Sequence, residues 1–377
     1  MDLFVYGTLR DARVRAAVAG EAGDVEPARL EGWAVRPLAS EVVPLLVPAP
    51  GEVADGLVWR GLTTAQADRL ALYEGAFGYR LTPLTVKTDA GAVPAHVWRP
   101  PETAEVGAGD WSLEDWQATA RETAIGAARE IFAMDPPVSP DDLARQFPMI
   151  QRRAWNRVEA ARMDAPARVR FDPAEGDVTV SDVVPPVGRF FRMQGFGVSH
   201  RRFDGDRQGP LDREVLVGTS AAVVIPFDPA RGRLVLVEQL RMGPLLHGNP
   251  NPWMLEPAAG MIDPFEAPEA AALRETREET GLDVRLRRVA GCYPSPGNAT
   301  DFFHLFVGLC DLPDDDRWTG GLASEHEDLR VHVLTLDEAL ALADTGEIQA
   351  APALALLWWI AANRDRLALE FADGSAR

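Results

Sequence analysis

Lysine is almost missing from this chain: Lys87 stands alone among 38 basic residues. Arginine therefore carries nearly all the positive charge, which suits bidentate grip on phosphate or carboxylate and argues against Schiff-base chemistry outside the N-terminal part. Cysteine is almost as scarce. Cys292 and Cys310 are the only two, without C-x-x-C spacing, so neither a disulfide framework nor a zinc knuckle is indicated. Positive charge as a whole is short, since 57 acidic residues leave a net charge of -19. That balance excludes the phosphate neutralisation that nucleic acid demands and disfavours anionic membrane surfaces. Long hydrophobic runs are lacking too. The most apolar stretch, Ala351 to Ala362 with Trp358 and Trp359, is too short to span a bilayer and reads as a buried C-terminal helix. Met1 to Gly7 form neither a basic leader nor a long apolar region, so the cytoplasm is the expected compartment.

What is present describes a water-soluble globular chain: 46% hydrophobic residues over 377, with a mean hydropathy of -0.11. That length calls for two domains. Residues 1–100 read as a strand-rich domain, with Leu3–Tyr6, Val53–Trp59, Leu84–Lys87 and Val93–Trp98 as strands, closed by Arg99-Pro100-Pro101-Glu102. Residues 101–165 read as a helical connector. Ser112 caps one helix running through Glu130, and Ser139-Pro140-Asp141-Asp142 starts another. Residues 166–377 alternate strands and helices, as a layered α/β domain does. There Val169–Phe171 and Val178–Val180 flank one hairpin turn, and Ala221–Ile225 and Arg233–Glu238 flank another. Phe190–His200, Phe302–Leu309 and Leu329–Leu334 are further strands, followed by two C-terminal helices.

The densest chemistry lies in residues 260–282. Glu275, Glu278 and Glu279 stand at i, i+3 and i+4 of one short helix, so they share a face and repel one another. A hard divalent cation reverses that sign, because Mg2+ (or Mn2+) seeks oxygen ligands and brings phosphate with it. Pro268 and Glu269 suit the first turn of this helix, Gly281 suits its end, and Gly260 allows close backbone approach, with the Ala259 carbonyl as a further oxygen. The bland alternative is a solvated glutamate-rich helix.

This stretch resembles the Nudix box, G-x5-E-x7-R-E-U-x-E-E-x-G-U with U bulky and apolar: Gly260, Glu266, Arg274, Glu275, Glu278, Glu279, Gly281 and Leu282 fall in register, and Thr276 is the one departure. The resemblance implies an α/β/α sandwich with a mixed sheet, metal ligation by Glu275 and Glu279, support from Glu278, and Arg274 holding a carboxylate. Residues 190–365 are similar to ADP-ribose pyrophosphatases. On that likeness Arg241 meets substrate phosphates, Ser295 lies in a proline-bearing loop and Asp301 follows it. Glu327, with Glu325 and Asp328 as competitors, is the water-activating or third-metal carboxylate. Arg213, beside Glu214, contacts adenine or a partner chain. A homodimer through the aromatic segment at Phe190 and Phe191 is also implied. His304 and His326 are expected to be core and loop histidines, because a hard-metal site prefers oxygen.

Tyr6-Gly7-Thr8-Leu9 follows an apolar strand, and its backbone amides suit an anionic or carbonyl oxygen. Together with Leu72-Tyr73-Glu74-Gly75-Ala76-Phe77-Gly78-Tyr79-Arg80 it resembles gamma-glutamylcyclotransferase-like (AIG2-like) domains over residues 1–100. That implies an α+β fold built on a β-barrel, substrate binding by Tyr6, Gly7, Thr8 and Leu9, and proton transfer by Glu74. The pairing of the two domains resembles a bacterial group linked to tellurite resistance. The leading expectation is Mg2+-dependent splitting of ADP-ribose into AMP and ribose 5-phosphate. The alternatives are another nucleoside diphosphate sugar, a ligand sensor on the same scaffold, or the N-terminal domain as the main catalyst.

Overall fold

Alternation of apolar residues along a strand decides which face of a sheet each one covers, and in this chain both faces of the central sheet are claimed. The computed structural model describes residues 1–39, 42–322 and 327–372, and falls into two compact units, Met1–Glu214 and Val215–Arg377.

In the first unit, β1 (Leu3–Val5), β2 (Val25–Pro37), β3 (Pro44–Trp59), β4 (Arg80–Thr88) and β5 (Gly91–Arg99) close into a barrel in the order β1-β3-β2-β4-β5. Its interior is filled by Phe4, Tyr6, Ala28, Leu30, Leu46, Val58, Val86 and Val97. α1 (Ala12–Ala19) and α2 (Thr64–Gly75) join the outer core. Trp116, Ala120, Ile125 and Ala128 pack into one cluster with Leu3, Val5, Val14 and Leu70, so the helical segment shares the barrel's outer core.

The helix expected from Ser112 to Glu130 is two: α3 (Leu113–Thr119) and α4 (Arg121–Phe132), broken at Ala120, whose φ is -116°. Ser112 caps the first as expected, accepting from the Asp115 amide at 3.2 Å. Trp116 and Ala120 are buried with the barrel residues, whereas Ala127 and Ile131 pack on α5 (Pro140–Arg162), and the break lets one segment serve both. Ser139 caps α5.

A three-stranded sheet follows, β6 (Val178–Ser181), β7 (Arg192–Arg201) and β8 (Arg207–Val217). The hairpin expected between Val169–Phe171 and Val178–Val180 does not form; β6 pairs with β7 instead, Val178 opposite His200. Val169 is 94% exposed, and Arg170 folds back to donate twice to the Pro166 carbonyl, which takes this stretch out of strand geometry.

The second unit holds an eight-stranded sheet in the order β13 (Arg285–Cys292), β14 (Phe302–Leu309), β9 (Ser220–Asp228), β10 (Arg233–Leu240), β16 (Leu329–Thr335), β15 (Arg317–Gly320), with β11 (Trp253–Glu256) on β10 and β12 (Ala258–Met261) on β9. β14 runs parallel to β9 and the other pairs are antiparallel, so the sheet is mixed. Val223, Ile225, Phe227, Leu305, Val307, Leu234 and Leu236 face α8 (Leu336–Thr345) and α9 (Ala351–Ala372). Their alternates Ala222, Val224 and Phe306 meet Ala271 and Ala272 of α7 (Pro268–Thr280). Helices therefore cover both faces, giving three layers. The C-terminal apolar run is a helix with Ala353, Leu356, Leu357 and Ile360 fully buried, although Trp358 is 57% exposed.

Candidate functional site

α7 is a helix whose ends are set by its sequence. Pro268 opens it, and Gly281 closes it at φ 72°, a left-handed position that glycine adopts without strain. Thr276, where an apolar residue is usual, is fully buried. Its hydroxyl donates to the Ala272 carbonyl at 2.7 Å, so the polar atom is satisfied within the helix and the methyl can pack.

The glutamates of α7 divide around Arg274. This guanidinium donates to both oxygens of Glu266 (3.0 and 2.9 Å), to Glu275 at 2.6 Å and to Glu278 at 3.1 Å. The Glu266 hydrogen bonds, then the Glu275 charge, raise its pKa further. Arg274 thus cancels much of the repulsion expected along this face. Gly260 makes room: a Cβ there would stand 1.9 Å from the Glu275 carboxyl carbon. Close approach of strand β12 to the glutamate requires glycine.

Glu279 behaves differently. It turns inward, 2% exposed, and accepts from the Ala259 amide at 2.9 Å. Burial pushes its carboxyl up to about 8; the Ala259 hydrogen bond and Arg241 oppose that rise, while the Glu327 and Glu275 charges add to it. A displacement of that size is worth on the order of 5 kcal/mol against the bare ionised form. Glu279 therefore feels the charges of Glu275, Glu327 and Arg241. Glu327 accepts from the Leu322 amide at 3.0 Å. Arg241, at the end of β10, donates to Glu256 at 2.5 Å. β15 closes the far side, where a Cβ at Gly320 would meet the Glu279 carbonyl oxygen at 1.8 Å.

Among the described residues no three acidic, histidine or cysteine side chains stand as a ready metal cage, because each carboxylate is taken up by a protein donor. The donor set nevertheless fits a hard dication: it is all oxygen, and it includes a buried glutamate crowded by two others.

The remaining expected residues have partners of their own or stand exposed. Asp301 is latched to the start of β9, accepting from the Thr219 amide at 3.3 Å, with its carboxyl raised by burial. A Cβ at Gly218 would sit 2.1 Å from its Oδ1. The Ser295 carbonyl accepts from the Asn298 and Ala299 amides, each at 3.0 Å, which shapes the turn after β13. Arg213 is exposed in the first unit and donates to its neighbour's carbonyl, that of Asp212, at 2.7 Å. Asp328 is exposed, and Glu325 and His326 lie outside the described residues. His304 is half-buried beside Arg288, and burial lowers its pKa to about 4. Sequence reasoning did not single out Glu256 or Gly320 of β15. Neither carries a motif, because each works through a partner distant in sequence.

The barrel carries a second constellation. Tyr6 is 7% exposed and donates to the Trp98 carbonyl at 3.1 Å. Burial, then the Tyr79 and Glu74 groups, push its hydroxyl well above the usual range. Burial alone pushes the Glu74 carboxyl up to about 7. The Tyr79 hydroxyl donates to the Pro44 carbonyl at 3.3 Å, and a Cβ at Gly7 would stand 2.3 Å from the Pro44 ring. Thr8 opens a single 3-10 turn. The Leu9 side chain is core, while its carbonyl, with those of Arg10 and Ala22, accepts from buried Arg15 at 2.8 Å each. Sequence reasoning included Tyr79 in the motif without giving it a role, and missed Arg15.

Comparison with known proteins matches these two regions separately. A profile described as NUDIX domain matches residues 218–357, and one described as gamma-glutamyl cyclotransferase, AIG2-like, matches residues 3–118. The ADP-ribose pyrophosphatase of Haemophilus influenzae is 36% identical over 181 residues, 47% of this chain and 83% of that protein. That of Escherichia coli K12 is 36% identical over 184 residues, 48% of this chain and 87% of that protein. The GDP-mannose pyrophosphatase of Citrobacter koseri is 34% identical over 146 residues, 38% of this chain and 75% of that protein. Likeness at this level over most of each relative, on a chain whose α7 holds the whole glutamate pattern, places the protein in the Nudix hydrolase family, with a gamma-glutamylcyclotransferase-like (AIG2-like) domain in its N-terminal part.

Proposed function

We propose that this chain hydrolyses the pyrophosphate bond of ADP-ribose, adding one water across the bridging P–O bond to give AMP and ribose 5-phosphate. The observation that carries the reading is Glu279: a carboxylate 2% exposed, raised by burial and by the charges of Glu327 and Glu275. Such a group is stabilised as an anion by a cation, and the residues that would hold Mg2+ are Glu275, Glu279, Glu327 and the Ala259 carbonyl. When bound, Mg2+ supplies neutralisation of phosphate oxygens and a more acidic water.

The protein's own groups do the rest. Arg274 keeps Glu275 and Glu278 from drifting by holding both, and holds Glu266 at the start of the helix. Arg241, 42% exposed in its side chain and oriented by Glu256, offers its remaining N–H groups to the substrate phosphates. Glu327 takes the proton from the attacking water, in a role that requires only one carboxylate oxygen while the other accepts from Leu322. Glu278 supports the neighbouring ligands through Arg274. Ser295 and Asp301 are assigned to substrate recognition, Asp301 by shaping the loop rather than by reaching out.

A second reading has one specific support: the GDP-mannose pyrophosphatase relative, at 34% identity, makes another nucleoside diphosphate sugar the alternative substrate. For the barrel, the Glu74 carboxyl at about 7 is poised to move a proton near neutral pH, which supports a gamma-glutamyl cyclotransferase reaction with Tyr6, Gly7, Thr8 and Leu9 around the substrate. Phe190 and Phe191, each 51% exposed and edge-to-face, support a homodimer. Among the described residues no helix is long and apolar enough to cross a membrane, and the cytoplasm is the compartment proposed. The test is a substrate panel: ADP-ribose should be turned over fastest, in Mg2+ or Mn2+, with AMP and ribose 5-phosphate as products. Equal rates in chelator overturn the metal assignment, and a preference for GDP-mannose overturns the substrate.

A further inference from the structure

The first unit contains a cavity of about 480 Å³ that the reactions above do not use. Three helices build it. α1 contributes Arg13, Ala16 and Ala17, one helical face at i, i+3 and i+4; α2 contributes Arg69; α4 contributes Ile125, Arg129 and Phe132, again one face at i, i+4 and i+7. In a chain of net charge -19, the lining holds three arginines and no acid.

The arginines are held to different degrees. Arg69 is fixed: its guanidinium lies 3.7 Å from the Phe132 ring centroid, Nε donates to Val18 at 2.7 Å, and Nη2 donates to Ala17 at 3.2 Å. Its Nη1 is bound to nothing among the described residues. Arg13 is braced by Glu122 through two bonds, 2.6 and 2.8 Å, which leaves Nε. Arg129 is exposed and has no hydrogen-bond or ion-pair partner among the described residues. A place in the last turn of α4 suits its charge to the helix dipole, but that role calls for no neighbouring arginines. Phe132 and three alanines, Ala16, Ala17 and Ala133, offer an apolar wall beside these cations, with Ile125 buried behind it.

We infer that this cavity binds a small organic anion, a phosphate or carboxylate joined to a flat apolar body. The anionic group sits between Arg129 and Arg69 and the body lies along Phe132 and the alanines. The volume falls in the range of small-molecule sites, and a fixed guanidinium beside a free one is suited to fork-like recognition of such oxygens. None of the residues proposed for either reaction lines it.

Phenyl phosphate is the probe, titrated calorimetrically into the full chain in the presence of chelator, so that no divalent cation assists. Saturable binding is expected, with inorganic phosphate weaker because it lacks the apolar body. Arg129→Ala should weaken phenyl phosphate binding about tenfold, the worth of one charged hydrogen bond, and Arg129→Glu should abolish it. ADP-ribose turnover should be unchanged in both, and circular dichroism and thermal unfolding matching the unaltered chain show that the first unit still folds. Absence of saturable binding by the unaltered chain, or equal binding by Arg129→Ala, overturns the inference.

Discussion

Two glutamates, one in each unit, are both driven toward the neutral form by burial, yet their surroundings suit opposite partners. Glu74 in the barrel is raised to about 7 by burial alone, with two tyrosines nearby and no second carboxylate acting on it. Glu279 is raised to about 8 with the charges of Glu327 and Glu275 adding to burial and the Ala259 amide opposing it. An isolated carboxyl balanced near neutrality exchanges a proton. A crowded one, with oxygen neighbours and a nearby arginine, suits the proposed role of holding a metal ion and the phosphates it carries. On the proposed assignments, the same elementary cost, desolvation, serves acid–base work in one place and cation capture in the other.

The sharpest way to break this contrast is Glu279→Gln. The amide can keep the Ala259 hydrogen bond, so the fold should survive by circular dichroism. ADP-ribose turnover should drop by roughly three powers of ten or more; an active variant would show that the wrong carboxylate was chosen. Gly260→Ala leaves every carboxylate in place but puts a Cβ 1.9 Å from the Glu275 carboxyl carbon. Displacing that group should cost about a hundredfold in turnover, measured against an unchanged rate at the barrel. Arg241→Ala should chiefly raise KM, by about tenfold, through loss of a charged hydrogen bond to substrate. A KM left unchanged removes it from the site.

The smallest effect tests the proton side. The folded chain favours the neutral Glu74 carboxyl, so between its ordinary 4.5 and about 7 the folded state binds more protons than the unfolded one. Its stabilising contribution is full below about 4.5 and is lost as pH rises through about 7. Glu74→Gln should flatten that slope by on the order of 2 kcal/mol after allowance for partial exposure, read from urea midpoints across pH. Identical pH slopes for both proteins would contradict the assignment.

How much of this was legible in the sequence depended on whether a feature is local. The α7 site could be read because its carboxylates, Arg274 and both flanking glycines occupy one short stretch with helical spacing. The β9–β10 hairpin and β14 were legible for the same reason, each being a single apolar run. β2 was not, since Ala28, Leu30 and Ala34 are its only fully buried residues and Gly32 and Pro27 interrupt the pattern. The break at Ala120 answers to two different packing partners, which no local signal encodes. Arg274 was expected to hold one carboxylate and holds three, because strand β12 brings Glu266's loop against the helix. Glu256 and Tyr79 likewise act through contacts across the fold, with Arg241 and Pro44.

Calorimetric titration of Mg2+ into the full chain, beside the Glu275→Gln, Glu279→Gln double variant, tests the central claim most directly. Saturable uptake by the unaltered protein and its loss in the variant is the predicted result. No uptake by the unaltered chain, or equal uptake by both, would contradict the account.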